Sequence, residues 1–398
     1  MTHALDADAP LSFKVRNASA RSPLLAGGAG CDVFRVDAWQ LPGHQREALV
    51  SEGAAGNAWR VSSDEGLHLK GTDLAPFPFG FFNAGLQGDL MHRIRDGAAA
   101  AGVALHALEI TLDNEYGLTG SFALGTARGQ AEPAQIGIKL RSDASNAAIS
   151  TLVQDAMAAS PALAILRTPV VCSFALAVNG RWQDLAGVAR SATRDARDPM
   201  TAYPDGPHAL AGGAGEDAVI KTAVKEDGTP AVAPPGTTTR MVRYVTGNGR
   251  LVDAAGRTEV EAWLQYPGAS HFIFRGDEGA AASAPSGLAL LSAGLAFCYM
   301  TQLSRTIEHL PSMAPFRHSS GARVVQYTPF EISAGPRAGQ LTGACGGIDT
   351  QVFLDADAPD ALHIELVTLA ARGCFLRAAA AATLPPVVRV VHNGGLIG

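Results

Sequence analysis

Five side chains in this sequence combine nucleophilic and redox chemistry, the thiols of Cys31, Cys172, Cys298, Cys345 and Cys374. An odd number of cysteines, in a chain whose N-terminus (MTHALDADAP) has acids where a secretory signal needs bases, is a poor disulfide framework. No two of them form a CxxC or a Cys/His cluster at zinc spacing, so no metal and no cofactor is expected, and any thiol that matters does so free or transiently oxidised. Cys298 falls near the middle of APSGLALLSAGLAFCYMTQLSR, a stretch apolar on nearly every side and therefore a core helix. Its thiol is either inert packing or chemistry held in a dry place. Asp89 is the oddest residue of the first half, because a buried carboxylate on an apolar helix is costly unless paired or protonated.

The rest of the chain has to position these groups. With 398 residues, 47% hydrophobic and 17% charged, it has core material for two domains. The 31 Lys+Arg against 37 Asp+Glu give a net charge of -6, and no basic run interleaved with aromatics is present to neutralise a phosphate backbone, which excludes nucleic acid. The longest apolar run, Pro285 to Met300, is broken by Ser and Gly and falls short of the roughly 20 residues a membrane span needs. A cytoplasmic protein with no membrane partner is the expectation.

Residues up to about Pro10 read as frayed, and Ser12 to Val61 alternates apolar and polar residues between Gly-rich turns, as a strand meander does. Pro76 then precedes a helix-like run from Phe79 to Ile94. The same order recurs about 210 residues later. Asp277-Glu278-Gly279 answers Asp64-Glu65-Gly66, Pro285 answers Pro76, and Ala293-Gly294-Leu295 answers Ala84-Gly85-Leu86. Both halves then close on a strand and a helix, announced by Asp143 and Ser145 in one and by Asp357 and Pro359 in the other, before a short strand ending in Asn-Gly. The two DEG tripeptides read most simply as turns. By this alignment Asp89 stands where Cys298 does, and Ser160 where Cys374 does. Trp182 to about Thr239, dense in Pro, Gly, Ala and Asp, reads as a linker. The expected organisation is a first half over 1–183, a linker over 184–239 and a second half over 240–398.

A proline, an apolar helix with a central cysteine (AGLAFCYMTQL), strands, and a second helix after Asp-Ala-Pro with another cysteine at its far end (AARGCFLRA) together resemble the OsmC/Ohr family. Those are small α+β proteins that form intertwined homodimers and reduce organic hydroperoxides with a cysteine pair. The likeness is clearest from about Arg243 to Asn393, while Phe13 to Gly180 follows the same outline without the thiols. The resemblance implies an α+β fold of tandem OsmC-like domains, an intrachain pseudo-dimer with strand meanders around long central helices. It implies a thiol-dependent peroxidase in which Cys298 attacks as a thiolate and Cys374 resolves the sulfenic acid into a disulfide, both helices lying side by side. The implied partners are a small-molecule hydroperoxide and a thiol reductant, with a homodimer of the fused chain left open.

One departure from the family pattern bears on activation. The family has an acidic residue after the helix-opening proline, paired with an arginine that supports the thiolate, and this chain has Ser286 and Gly287 there. The substitutes nearest in sequence are Arg275, Asp277 and Glu278, with His271 as the closest titratable base; Arg60 and Asp89 of the first half are further candidates. Cys345, in GACGGID, is an exposed bystander or an alternative resolving thiol. Two other readings stay open: a cysteine nucleophile acting on a carbon centre of a small hydrophobic substrate, hydrolase-like, with His271 or an acid as base, and a non-catalytic pocket for a hydrophobic small molecule.

Overall fold

The structure is a computed structural model that describes residues 4–16, 31–206, 212, 217–222, 241–266, 268–318 and 321–397. In the first half come β1 (Ser12–Lys14), β2 (Cys31–Gln40), β3 (Arg46–Ser51), β4 (Ala58–Ser63) and the long helix α1 (Pro78–Ala100). They are followed by β5 (Leu105–Thr119), β6 (Arg128–Ala131), β7 (Gln135–Ser142), α2 (Asn146–Ala159), α3 (Pro161–Arg167), β8 (Cys172–Val178) and β9 (Arg181–Gln183). Then come β10 (Ala189–Arg190), α4 (Pro199–Ala202) and β11 (Val219–Lys221). The second half repeats the order with β12 (Met241–Leu251), β13 (Thr258–Leu264), β14 (His271–Gly276) and α5 (Gly287–His309). It closes with β15 (Arg323–Ala334), β16 (Leu341–Cys345), β17 (Ile348–Leu354), α6 (Asp360–Gly373), α7 (Phe375–Ala381), β18 (Val387–His392) and β19 (Gly395–Leu396).

This is an α+β protein with two mixed sheets, and each sheet draws strands from both halves. Among the described residues the first runs β1-β4-β3-β2-β15-β17-β8-β10 and the second β11-β14-β13-β12-β5-β7-β18-β19. The seams are long antiparallel ladders, β2 against β15 from Cys31↔Glu331 to Trp39↔Arg323, and β5 against β12 from Glu109↔Arg250 to Leu118↔Met241. Beyond each seam lies a parallel pair that again crosses the halves, β8 with β17 and β7 with β18. Alternation fixes which face of a strand is buried: in β5, Leu108, Ile110 and Leu112 point inward while Glu109, Thr111 and Asp113 alternate with them.

The layers follow from the helices. Helix α5 packs on β2, β3 and β15 of the first sheet, α1 packs on β12, β13 and β5 of the second, and the two helices pack on each other in the middle. One contiguous apolar cluster fills the space between. Ser286 caps α5, accepting from the Ala289 backbone N–H at 3.2 Å, and Pro78 occupies the first turn of α1, where a missing N–H costs nothing. Residues on every side of α5 are buried, which is why its sequence shows no polar face. At 23 residues α5 exceeds the run expected from sequence and is long and apolar enough to cross a membrane by length and composition, and 94% of its most apolar window is buried inside the protein.

Two local expectations are corrected. Leu5, expected to fray, is buried, and its backbone N–H donates to Gln45 Oε1 at 2.7 Å. The stretch read as a linker lies across the outer face of the first sheet: Ala196 packs with Val33, Val325 and Phe353, and Tyr203 packs with Trp39 and Leu49. Asp198 in this stretch pairs with the buried Arg323 at 2.6 Å, and the Gln351 amide bonds Thr193 and Asp195. Low hydropathy hid this role, because the covering is made by isolated apolar residues and side-chain hydrogen bonds without any periodic pattern. Residues 207–211, 213–216 and 223–239 of that stretch lie outside the described residues.

Candidate functional site

Cys298 lies in the fourth turn of α5 and Cys374 at the junction where α6 ends and α7 begins, and the two sulfurs are 3.5 Å apart. Both are buried to 1% exposure. The junction is held from outside by β6 of the first half, where Gly129 lets the backbones meet: a Cβ there would come within 2.8 Å of the Cys374 carbonyl carbon and oxygen. A disulfide needs the sulfurs at about 2.05 Å, so a shift on the order of 1.5 Å closes the bond.

The two thiols are electrostatically unequal. Burial alone would raise Cys374, but a hydrogen bond from Cys298, the backbone amides of Arg377 and Leu376 at the start of α7 and the Arg377 guanidinium together hold it below the ordinary thiol range. Burial, and then the neighbouring Cys374, push Cys298 well up. An S–H···S contact runs in either sense, and the Arg377 amide and guanidinium favour negative charge on Cys374 over Cys298.

Only Cys298 of the pair lines the small cleft beside it, whose free volume is about 30 Å3. Its lining combines apolar side chains, Leu69, Phe77, Pro78, Phe79, Leu264 and Phe375, with polar ones, Glu65, His68, Arg243, Thr301, Gln302 and Arg305. Phe79 stacks on Tyr116 at 4.3 Å and meets Phe375 edge-on at 5.5 Å, fixing the apolar wall. Glu65 accepts from the Thr301 hydroxyl at 2.6 Å and pairs with Arg46 at 3.9 Å. Arg46 is fully buried, and its charge also acts on Cys298. Burial pushes the Glu65 carboxyl up, with Arg46 opposing. The site therefore has one thiol lining a cleft, a second thiol in contact with it, and a buried arginine–glutamate pair nearby. Residues of both halves build it, since Arg46, Glu65 and Phe79 come from the first and the two cysteines from the second.

A related constellation surrounds the equivalent point of α1. Asp89 accepts from Ser160 Oγ at 2.5 Å and from Arg93 Nε at 3.1 Å, so its buried charge is paired and hydrogen-bonded. Ser160 also caps α3, accepting from the Leu163 N–H at 3.0 Å, just as Cys374 stands at the start of α7. The two DEG tripeptides match in detail. Asp64 accepts from the Glu65 N–H and from Thr72, Asp277 accepts from the Glu278 N–H and from Ser283, and each following glutamate turns inward. Arg46 pairs across its ladder with Ser63 as Thr258 does with Gly276, so the arginine of one constellation is a threonine in the other.

Glu278 provides a pH test of this second constellation. Burial, helped by Asp89 and Glu52 and opposed by His92 and Arg93, pushes its carboxyl up to about 7 from 4.5. Between those values the folded chain holds a proton that the unfolded chain has lost, so stability is fully present below about 4.5 and is lost as pH rises through 7. Glu278→Gln keeps an acceptor for the Gly287 N–H and removes the titration. The wild type should therefore lose on the order of 3 kcal/mol relative to this variant between pH 4.5 and 8. Urea unfolding of both proteins at pH 5 and pH 8 checks this, and parallel pH dependences would refute it.

The side chains nearest Cys298 in sequence are not its neighbours in space. His271 bonds Glu261 at 2.9 Å and stacks on Trp263 at 4.6 Å, while Arg275 faces Glu259 at 3.8 Å and the Asp217 carbonyl at 3.3 Å. Glu278 accepts from the Gly287 N–H at 3.2 Å, and Asp89 belongs to the constellation just described. None of these lines the cleft at Cys298. The reason is the length of α5, whose first turn is roughly 16 Å of helix rise from Cys298. Segments leading into α5 reach that first turn and Asp89 beside it, and the segment leading into α1 reaches Cys298. Arg60 is also remote, pairing with Glu47 at 3.1 Å and donating to the Pro10 carbonyl at 2.8 Å. Cys345 is partly buried, contacts the Gly347 carbonyl at 3.6 Å and is pushed up to about 11 by burial. Arg46, Glu65, Thr301, Arg243 and Arg305 escaped the sequence reading. The available signals were the acid repeated at the second place of each DEG tripeptide and a lone arginine opening the buried strand REALVS.

No family model matches the chain and no curated protein matches it. One solved structure that resembles part of it is an OsmC-like hydroperoxide resistance protein from Jannaschia sp. CCS1, with a TM-score of 0.21 and 24% identity, covering 34% of this chain and 84% of that one.

Proposed function

We propose that the chain is a thiol-dependent peroxidase of organic hydroperoxides, a fused two-copy form of the OsmC/Ohr arrangement in which one of two thiol sites is kept. The observation that carries this reading is the pair of buried sulfurs at 3.5 Å, one of them lining a cleft beside a buried arginine–glutamate pair. When Cys374 has ionised, its thiolate takes the proton of Cys298, leaving Cys298 as the attacking thiolate and Cys374 as the thiol. The Cys298 thiolate displaces at the distal peroxide oxygen, forming an S–O bond and breaking the O–O bond, and the departing alkoxide takes a proton from solvent. The Cys298 sulfenic acid then condenses with the Cys374 thiol, giving a disulfide and water. An external dithiol reduces that disulfide and is itself oxidised. Arg46 supports negative charge at the reacting sulfur and oxygen.

Reduced protein treated with one equivalent of cumene hydroperoxide tests this directly. The expected product is a peptide pair joined through Cys298 and Cys374, two hydrogens lighter than the reduced pair, with one equivalent of cumyl alcohol. Unconsumed hydroperoxide with both thiols still free overturns the reading.

A further inference from the structure

Arg305 lines the cleft beside Cys298 and is buried to 7% exposure. Among the described residues it has no ion-pair partner, and its Nε has no hydrogen-bond acceptor. Its guanidinium carbon stands 4.4 Å from the Phe122 ring centre. A ring face offsets part of the charge but accepts none of the in-plane N–H groups, so the donors remain open. Arg243 lines the same cleft, and its one hydrogen bond among the described residues goes to the neighbouring Val242 carbonyl at 3.1 Å. The acids nearby are committed elsewhere: Glu65 to Thr301 and Arg46, and Asp64 to the backbone and hydroxyl donors of its own turn. Two guanidinium groups, Arg305 buried and Arg243 half-buried, thus face one cleft with Glu65, already paired with Arg46, as the carboxylate they share, and a buried excess of positive charge is costly. An anionic ligand removes that cost, and the planar fork of arginine fits a carboxylate in particular.

Resting on the peroxidase reading above, we infer that the cleft selects hydroperoxides bearing a carboxylate, held by Arg305 and Arg243 while the peroxide meets Cys298. The apolar wall of Phe79 and Phe375 takes the carbon frame between the two groups.

Cumene hydroperoxide and its para-carboxylate form a near-isosteric pair for the test. The carboxylated compound should show a kcat/KM about 10- to 100-fold higher, the range of a charge-assisted hydrogen-bonded pair. In Arg305→Met and Arg243→Gln that preference should fall toward one, and in Arg305→Lys, which keeps a cation, it should be partly restored. Equilibrium binding of 4-isopropylbenzoate to the Cys298→Ser protein supplies a readout free of turnover and should weaken at least about tenfold in the Arg305→Met background. Equal kcat/KM for the two hydroperoxides in the wild type overturns the inference, as does unaltered 4-isopropylbenzoate binding in a folded Arg305→Met protein. If 4-isopropylbenzoate binds through Arg305 but neither hydroperoxide is reduced, the anion site stands and the peroxidase reading falls.

Discussion

Cys298→Ser should lower the rate of hydroperoxide reduction by about 10³-fold or more, while Cys374→Ser should permit one turnover, slowed at neutral pH, and abolish the second. The two outcomes differ because only Cys298 lines the cleft, and Cys374 lies behind it. Serine matches the shape of cysteine closely, but its hydroxyl is far less acidic and less nucleophilic, so the geometry survives and the attack does not. In Cys374→Ser the sulfenic acid formed on Cys298 has no thiol within contact and persists, and a sulfenic-acid probe would label it. That variant also loses the group that takes the Cys298 proton. Since burial already pushes Cys298 up, its first turnover should slow at neutral pH and recover as pH rises. Stopped-flow consumption of a single equivalent of hydroperoxide across pH 6 to 10 separates the two effects. A Cys298→Ser protein that still turned over would remove the thiol from the mechanism.

Gly294→Ala should destabilise the protein by about 3 kcal/mol or more and misplace the sulfur pair, and Gly85→Ala should do the same. These glycines are equivalent positions of α5 and α1, and they are where the two helices touch. A Cβ on Gly294 would land 2.8 Å from the Phe82 backbone nitrogen and 2.9 Å from the Pro78 carbonyl oxygen. On Gly85 it would meet the Leu291 nitrogen at 2.5 Å and the Gly287 carbonyl oxygen at 2.7 Å. Backbone atoms in the middle of two packed helices have nowhere to go, so the helices must separate. Gly97→Ala is the contrast, because in the same α1 helix its Cβ meets only the Leu152 Cδ1 methyl at 2.9 Å. A side-chain methyl moves cheaply, and alanine gains up to about 1 kcal/mol of helix propensity over glycine. Urea midpoints for the three variants check the argument, and Gly294→Ala matching Gly97→Ala would refute it.

The sequence made the elements legible where their signals are local. The apolar run around Cys298, the cap at Ser145, the alternation in LHALEITLD and the recurrence of Ala-Gly-Leu in both long helices each depend on residues within a turn or two. The cap expected of Asp143 belongs to Ser145 alone, which accepts from the Ala148 N–H at 3.3 Å, and Pro359 opens α6 without a side-chain cap. What stayed hidden depends on how the sheets interleave. Glu65 meets Thr301 across a separation of 236 residues, and no periodicity within α5 points to it. Glu278, the acid shortly before Ser286 in sequence, faces the constellation around Asp89 instead of Cys298. The same crossing that sends Glu278 there brings Glu65 to Cys298. Asp89 looked anomalous because its partners Ser160 and Arg93 are a helix cap and a residue one turn on, both unremarkable as isolated letters.

The seams in the two sheets have a consequence for how this chain is made. On a ribosome, β2 and β8 emerge long before β15 and β17, the strands that pair with them. A first half synthesised alone therefore presents open ladder edges along both strands, and exposed edges of this kind recruit other chains. Completion of either sheet waits on contacts more than 150 residues apart, an arrangement that slows folding by loop-closure entropy. The nascent chain thus has a long interval in which a chaperone, or a second nascent copy offering the same β15, competes for the edge of β2.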